Sequence, residues 1–114
     1  MGLPIRSVEA IPRELIILET SDGREPFTAW MDSLDGLAIQ AVVLNRLDRV
    51  ENGNLGDCHS VGEGVSELRI DVGPGFRVYF GQDGNRVILL GGGKKRTQPR
   101  DIKAAKKLWR EYDA

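Results

Sequence analysis

A single cysteine, Cys58, and a single histidine, His59, occur in 114 residues. One cysteine excludes an internal disulfide. One histidine leaves no His-rich metal site and no pair of imidazole acid–base groups, and no metal-ligand spacing is present. A reducing compartment, the cytoplasm, is the expected location. Long apolar runs are also missing: Leu15-Ile16-Ile17-Leu18 and Val87-Ile88-Leu89-Leu90 fall far short of the roughly 20 residues a membrane-spanning helix needs. No charged stretch leads into an apolar one near the N-terminus, so neither a secretory leader nor a membrane partner is expected. No cofactor and no metal are expected.

What is present is the composition of a globular domain, 40% apolar and 29% charged. The length suits one domain, expected over 14–114. It is preceded by an arm, 1–13, that carries Pro4 and Pro12 and shows no period. The net charge of −1 conceals a division. Residues 1–64 hold five Lys/Arg against eleven Asp/Glu, and residues 65–114 hold eleven against six. Between 86 and 110 nine basic residues face Asp101 alone. One electropositive surface for a polyanion is expected. A solvated helix face is the plainer alternative, but the cluster begins on a Gly-rich turn before any helix starts.

The pattern along the chain predicts an α+β domain. Glu14–Thr20 is short, rich in Leu and Ile and followed by Ser21-Asp22-Gly23, which predicts a strand. Pro26 suits a first helical position, Phe27, Trp30, Met31 and Leu34 follow at helical spacing, and Asp35-Gly36 ends the helix. Ile39, Val43, Leu47 and Val50 line a second helix from Leu37 to about Glu51, with Arg46 on its polar side. Leu55–Gly64 has no period and reads as a mobile connector. The period then becomes two: Val65–Val72, Phe76–Phe80 and Arg86–Leu90 form a three-stranded antiparallel meander. Its turns are Gly73-Pro74-Gly75 and Gln82-Asp83-Gly84-Asn85. Gly91-Gly92-Gly93 is expected to break the sheet, and Thr97-Gln98-Pro99 to open a last helix. The N-terminal strand is expected to join the meander.

Few of these residues suit familiar catalysis. Cys58 and His59 are adjacent, so on an extended segment their side chains point apart, and a loop histidine is expected. Gly91-Gly92-Gly93-Lys94-Lys95 lacks the spacing of a nucleotide-binding loop. The remaining constellation is cationic. Arg69 alternates with Leu68 and Ile70, and Arg77 and Tyr79 share a face opposite Phe76, Val78 and Phe80. With Lys94 and Lys95 at the end of the next strand, these could form a phosphate groove with a ring for base stacking. Alternatively Glu67 and Asp71 pair with the two arginines as cross-strand salt bridges. Periodicity leaves the two readings even.

Four runs carry a resemblance: Glu67-Leu68-Arg69-Ile70-Asp71, Gly73-Pro74-Gly75-Phe76-Arg77-Val78-Tyr79-Phe80, Leu89-Leu90-Gly91-Gly92-Gly93-Lys94-Lys95, and Gln98 with Asp101-Ile102 before Ala104-Ala105. In this order they resemble the RelE/ParE toxin superfamily, in its HigB-like addiction module killer protein branch, over about residues 14–112. The resemblance implies a RelE-like fold of strand, helical hairpin, antiparallel sheet and terminal helix. It also implies the toxin of a type II toxin–antitoxin pair, an endoribonuclease that cuts mRNA on the ribosome and is held by a small helix-turn-helix antitoxin. By the same resemblance Arg77 binds the scissile phosphate, Arg69 and Lys95 supply further charge, and Lys94, Arg96, Tyr79 and Arg100 contact RNA. Glu67 stands where relatives often carry a lysine, and Asp101 near a position where some carry tyrosine. Either the acid–base roles pass to Glu67 or Asp101, or cleavage differs in this branch. ParE-like members poison DNA gyrase without cutting RNA, and that is the alternative function.

Overall fold

A computed structural model describes residues 11–113, so residues 1–10 of the expected arm lie outside the described residues. The chain is α+β, with three helices on a five-stranded mixed sheet. Strand β1 (Glu14–Ile17) leads to the helical hairpin α1 (Pro26–Ser33) and α2 (Leu37–Glu51). Strands β2 (Cys58–Gly62), β3 (Val65–Ile70), β4 (Phe76–Asp83) and β5 (Arg86–Lys94) follow, then a single 3-10 turn and helix α3 (Gln98–Asp113). The sheet order is β1-β5-β4-β3-β2. β1 joins parallel to β5, and every other pairing is antiparallel.

Pro26 occupies the start of α1, where its missing N–H costs nothing, and Gly36 turns the chain into α2 at a φ of 97°. Phe27 from α1, with Val43, Leu47 and Val50 from α2, packs on Leu68, Ile70, Phe76, Val78, Phe80, Val87 and Leu89 of the sheet. Helix α3 covers the opposite face with Ala105 and Trp109, against Leu18, Val65, Tyr79, Ile88 and Leu90. Both faces of the sheet are therefore covered, and a short apolar run such as Val87–Leu90 serves both cores by alternation.

Two expectations fail here. The segment 55–64 is not a connector throughout, because Cys58–Gly62 is an edge strand paired with β3. The Glu63-Gly64 turn between them has φ values of 55° and 82°. Positive φ at both central residues is the tight-hairpin signature. The sequence signal was weak because the only partly apolar positions, Cys58 and Val61, do not alternate. Nor does Gly91-Gly92-Gly93 break the sheet, since β5 runs through it to Lys94. An extra residue at Leu90, between the pairs Phe80↔Leu89 and Tyr79↔Gly91, shifts the alternation there. Bare backbone at Gly92 then accepts the Trp30 ring on one face, and bare backbone at Gly93 accepts Asp101 on the other. These glycines make room for neighbours rather than ending a strand.

Arg46 also departs from its expected polar surface. It is 4% exposed and donates to the carbonyls of Leu55 and Asp57, tying the 55–57 segment to α2. Burial lowers its pKa, yet a guanidinium keeps its charge.

Candidate phosphate-binding site

Directly opposed residues of an antiparallel pair project from the same face, so register alone assembles two rows of side chains beneath α3. One row crosses β5, β4 and β3 as Gly93, Arg77 and Arg69. The next crosses β5, β4, β3 and β2 as Gly91, Tyr79, Glu67 and His59. Arg69 and Arg77 are thus direct cross-strand partners.

The two arginines have different company. Glu67 is 1% exposed, and its carboxylate accepts from Arg69 Nε at 2.8 Å and from Gln98 Nε2 at 2.6 Å. Two donors satisfy a group that is costly to bury. The hydrogen bond to Glu67 holds the half-exposed Arg69 above the ordinary arginine range. Arg69 is therefore salt-bridged, but to a carboxylate two residues away on its own strand and not across to a neighbouring one as expected. Arg77 is different: it is 5% exposed and its Nη1 donates to the Phe76 carbonyl at 3.1 Å. Its Nε has no partner, and among the described residues no carboxylate lies within 4.0 Å of it. Asp71, the other candidate partner, is exposed. A buried guanidinium without an anion is an unmet electrostatic demand.

Lys95 flanks Arg77. Its backbone N–H donates to the Gly75 carbonyl at 2.7 Å. A Cβ built at Gly75 would lie 3.5 Å from Lys95 Cβ and 3.6 Å from Arg77 Nη1. Gly75 therefore places no side chain where Arg77 Nη1 and the base of the Lys95 side chain come near the turn. Lys94 and Arg96 are exposed beside them, as is Arg100.

Asp101, in the first turn of α3, sits over Gly93. Its Oδ2 accepts from Thr97 Oγ1 at 2.5 Å and its Oδ1 lies 3.5 Å from Arg100 Nε. It thus closes the β5 end of the Arg77 row.

Tyr79 is not a stacking platform, since it is 1% exposed beneath α3. Burial pushes its pKa up, reinforced by Glu67 and Asp101, so the phenol keeps its proton, and its Oη has no partner. Glu67 likewise is enclosed by Arg69 and Gln98 rather than presented to a substrate. Two residues gain importance that their sequence context hid. Gln98 fastens α3 to the sheet through Glu67. His59, expected in a loop, is a strand residue paired with Glu67, and its Nε2 is 2.5 Å from Asp57 Oδ1. Cys58 pairs instead with Leu68, and its thiol is pushed up by burial, so no Cys58–His59 dyad forms. The signal for His59 was its pairing partner, which lies eight positions away across an unforeseen turn.

Among the described residues no group of His, Cys, Asp and Glu could hold a metal ion, and no helix is long and apolar enough to cross a membrane. No protein-family model matches the sequence. The chain is 49% identical over 86 residues to an uncharacterized protein of Haemophilus influenzae, an alignment covering 75% of this chain and 87% of that protein. Identity at that level over most of both chains means that this protein belongs to the same family as the Haemophilus protein.

Proposed function

We propose that this protein is the toxin of a type II toxin–antitoxin pair, built on a RelE-like fold, that inhibits translation by cutting mRNA on the ribosome. The observation that carries the reading is Arg77, a buried guanidinium with an unpartnered Nε and no carboxylate in ion-pair range, beside Lys95. A phosphodiester reaching the guanidinium past Gly75, which carries no side chain, would supply the missing anion. The ribose 2′-oxygen attacks the adjacent phosphorus, the P–O5′ bond breaks, and a 2′,3′-cyclic phosphate and a 5′-hydroxyl remain. Charge accumulates on the non-bridging phosphate oxygens, and Arg77 and Lys95 supply the opposing charge. Arg69 adds charge at the other end of the row, held in place by Glu67, which acts as a positioning residue.

The 2′-hydroxyl must lose a proton and the 5′-oxygen must gain one. Neither Glu67 nor Tyr79 is exposed enough to touch the ribose. His59, exposed on β2 and held by Asp57, is one candidate to accept or return a proton. Asp101, partly exposed over the β5 end of the Arg77 row, is the second candidate. The expected partners are mRNA, the ribosome and a small helix-turn-helix antitoxin that covers the cationic face.

The test is a reconstituted translation reaction with purified protein, with mRNA ends mapped by primer extension. Breaks that need ribosomes and disappear in Arg77→Met are expected. Intact mRNA, from a protein that still arrests growth and damages DNA through gyrase, overturns the reading in favour of a ParE-like poison.

A further inference from the structure

Helix α3 has two unlike sides. Ile102, Ala105, Leu108 and Trp109 pack it on the sheet. Arg100, Lys103, Lys107 and Arg110, spaced three, four and three residues apart, are all exposed. At 100° per residue they fall within an arc of about 80° and span about 15 Å of helix, diametrically away from the apolar side. The stripe starts one turn after Lys94, Lys95 and Arg96, and its first member, Arg100, lines one cavity with Lys94 and Pro74 at the edge of the Gly73-Pro74-Gly75 turn.

A helix face that only needs solubility alternates acids and bases at these spacings. Like charges three or four residues apart weaken a helix, and this stripe repeats that arrangement at each step. Lys106, beside it, adds two more such pairs, with Lys103 and Arg110. Relief is sparse. Asp101 serves Arg100, and Glu63 on the β2–β3 turn serves Lys106 and Arg110 at 4.0 and 3.4 Å. Among the described residues Lys103 and Lys107 have no carboxylate within 4.0 Å. Glu111 borders the far end. The stripe itself offers no apolar seat, and Tyr112 is the one large exposed apolar residue on this helix. A protein partner needs buried apolar anchors at the centre of its interface. A polynucleotide backbone needs cations at regular intervals.

We propose that the outer stripe of α3, Arg100, Lys103, Lys107 and Arg110, binds the phosphodiester backbone of the RNA strand where it leaves the Arg77 site. This rests on the ribonuclease reading for the identity of the strand. Successive stripe residues rise about 5 Å along the helix, close to the interval between phosphates on an RNA strand. The stripe then holds substrate without taking part in bond cleavage.

The experiment measures binding of a fluorescein-labelled 12-nucleotide RNA, and of a trinucleotide, by anisotropy across a series of NaCl concentrations. The variants are Lys103→Gln/Lys107→Gln and Lys103→Arg/Lys107→Arg, with circular dichroism checking that α3 remains folded. Single-stranded binding loses about 0.7 from its log–log salt slope for each phosphate contact removed, so the glutamine pair should lower the slope by about 1.4. The arginine pair should restore it, and trinucleotide binding should not change. Unaltered slope and affinity in the glutamine pair overturn the proposal. So does poly-glutamate binding as tightly as RNA with the same dependence on Lys103 and Lys107, which assigns the stripe to an acidic protein. If wild-type protein cuts no RNA while the slope still falls in the glutamine pair, the nuclease reading fails and the backbone contact stands.

Discussion

The two faces of the central sheet are built from the same strands and put to different uses. Under the helical hairpin, Leu68, Ile70, Phe76, Val78, Phe80, Val87 and Leu89 meet Phe27, Val43, Leu47 and Val50 in a continuous apolar layer. Under α3 the layer is apolar only in part, around Val65, Ile88, Leu90 and Trp109. The remainder holds Glu67, Arg69, Arg77 and Tyr79, with Arg77 Nε and Tyr79 Oη buried without partners, whereas on the hairpin side one such atom, Arg46 Nη1 of α2, is found among the described residues. Each face also has one glycine on which a tryptophan lies flat, Gly92 under Trp30 and Gly81 under Trp109. The faces match in packing and differ in polarity. One face holds the protein together, and the stability it supplies allows the other to keep a charge that folding alone does not need.

Phe80→Ala, on the hairpin face, should sharpen that contrast most. Emptying a fully buried ring site should cost about 3–5 kcal/mol, read as a shift in the urea midpoint. Arg77→Met keeps the volume and removes the charge. Phosphodiester cleavage should fall about 10²–10³-fold, the usual effect of losing one such charge-stabilising group. Stability should hold or rise, because an uncompensated buried cation is replaced by an apolar side chain. A variant that unfolds would break the distinction between the faces. Gly81→Ala tests packing on the α3 face, where a Cβ would lie 2.5 Å from the Trp109 ring, so a loss of about 1–3 kcal/mol is expected in the same assay.

The smallest effect is tied to pH. The Tyr79 phenol has a folded pKa raised above its ordinary 10.0, first by burial and then by Glu67 and Asp101. The folded protein keeps this proton when the unfolded chain releases it. That contribution is whole below pH 10.0 and is lost as pH rises from there toward the folded value. Tyr79→Phe should flatten the alkaline loss in urea midpoints measured at pH 9 and above. At neutral pH it should leave stability equal or higher, since the removed hydroxyl has no partner.

Much of this architecture is written in local signals. Pro26, Gly36 and the spacing of Val43, Leu47 and Val50 mark the hairpin helices, and Asp83-Gly84 marks the β4–β5 turn. Strand β2 was hidden because an edge strand with little to bury shows no period. The continuation of β5 was hidden because three glycines signal a break unless one knows that Trp30 and Asp101 are waiting for the space. In the site, alternation alone put Arg77 and Tyr79 on one face and Arg69 on the face away from Leu68 and Ile70. Alternation says nothing about what lies above a face. Helix α3 buries Tyr79 and Glu67, brings Gln98 to Glu67, and leaves Arg77 without a carboxylate. His59 became a site residue only when β2 paired with β3.

By itself, then, the sequence determined the element types apart from strand β2, most of their boundaries, the charge asymmetry and the identity of the cations. These follow from short-range periodicity and composition, which act within a few residues along the chain. Tertiary structure alone decided that Arg77 found no carboxylate, which ring was exposed and which helix covered the charged face. Those outcomes depend on strand register and on contacts between residues 31 positions apart, such as Glu67 and Gln98, where no local rule reaches.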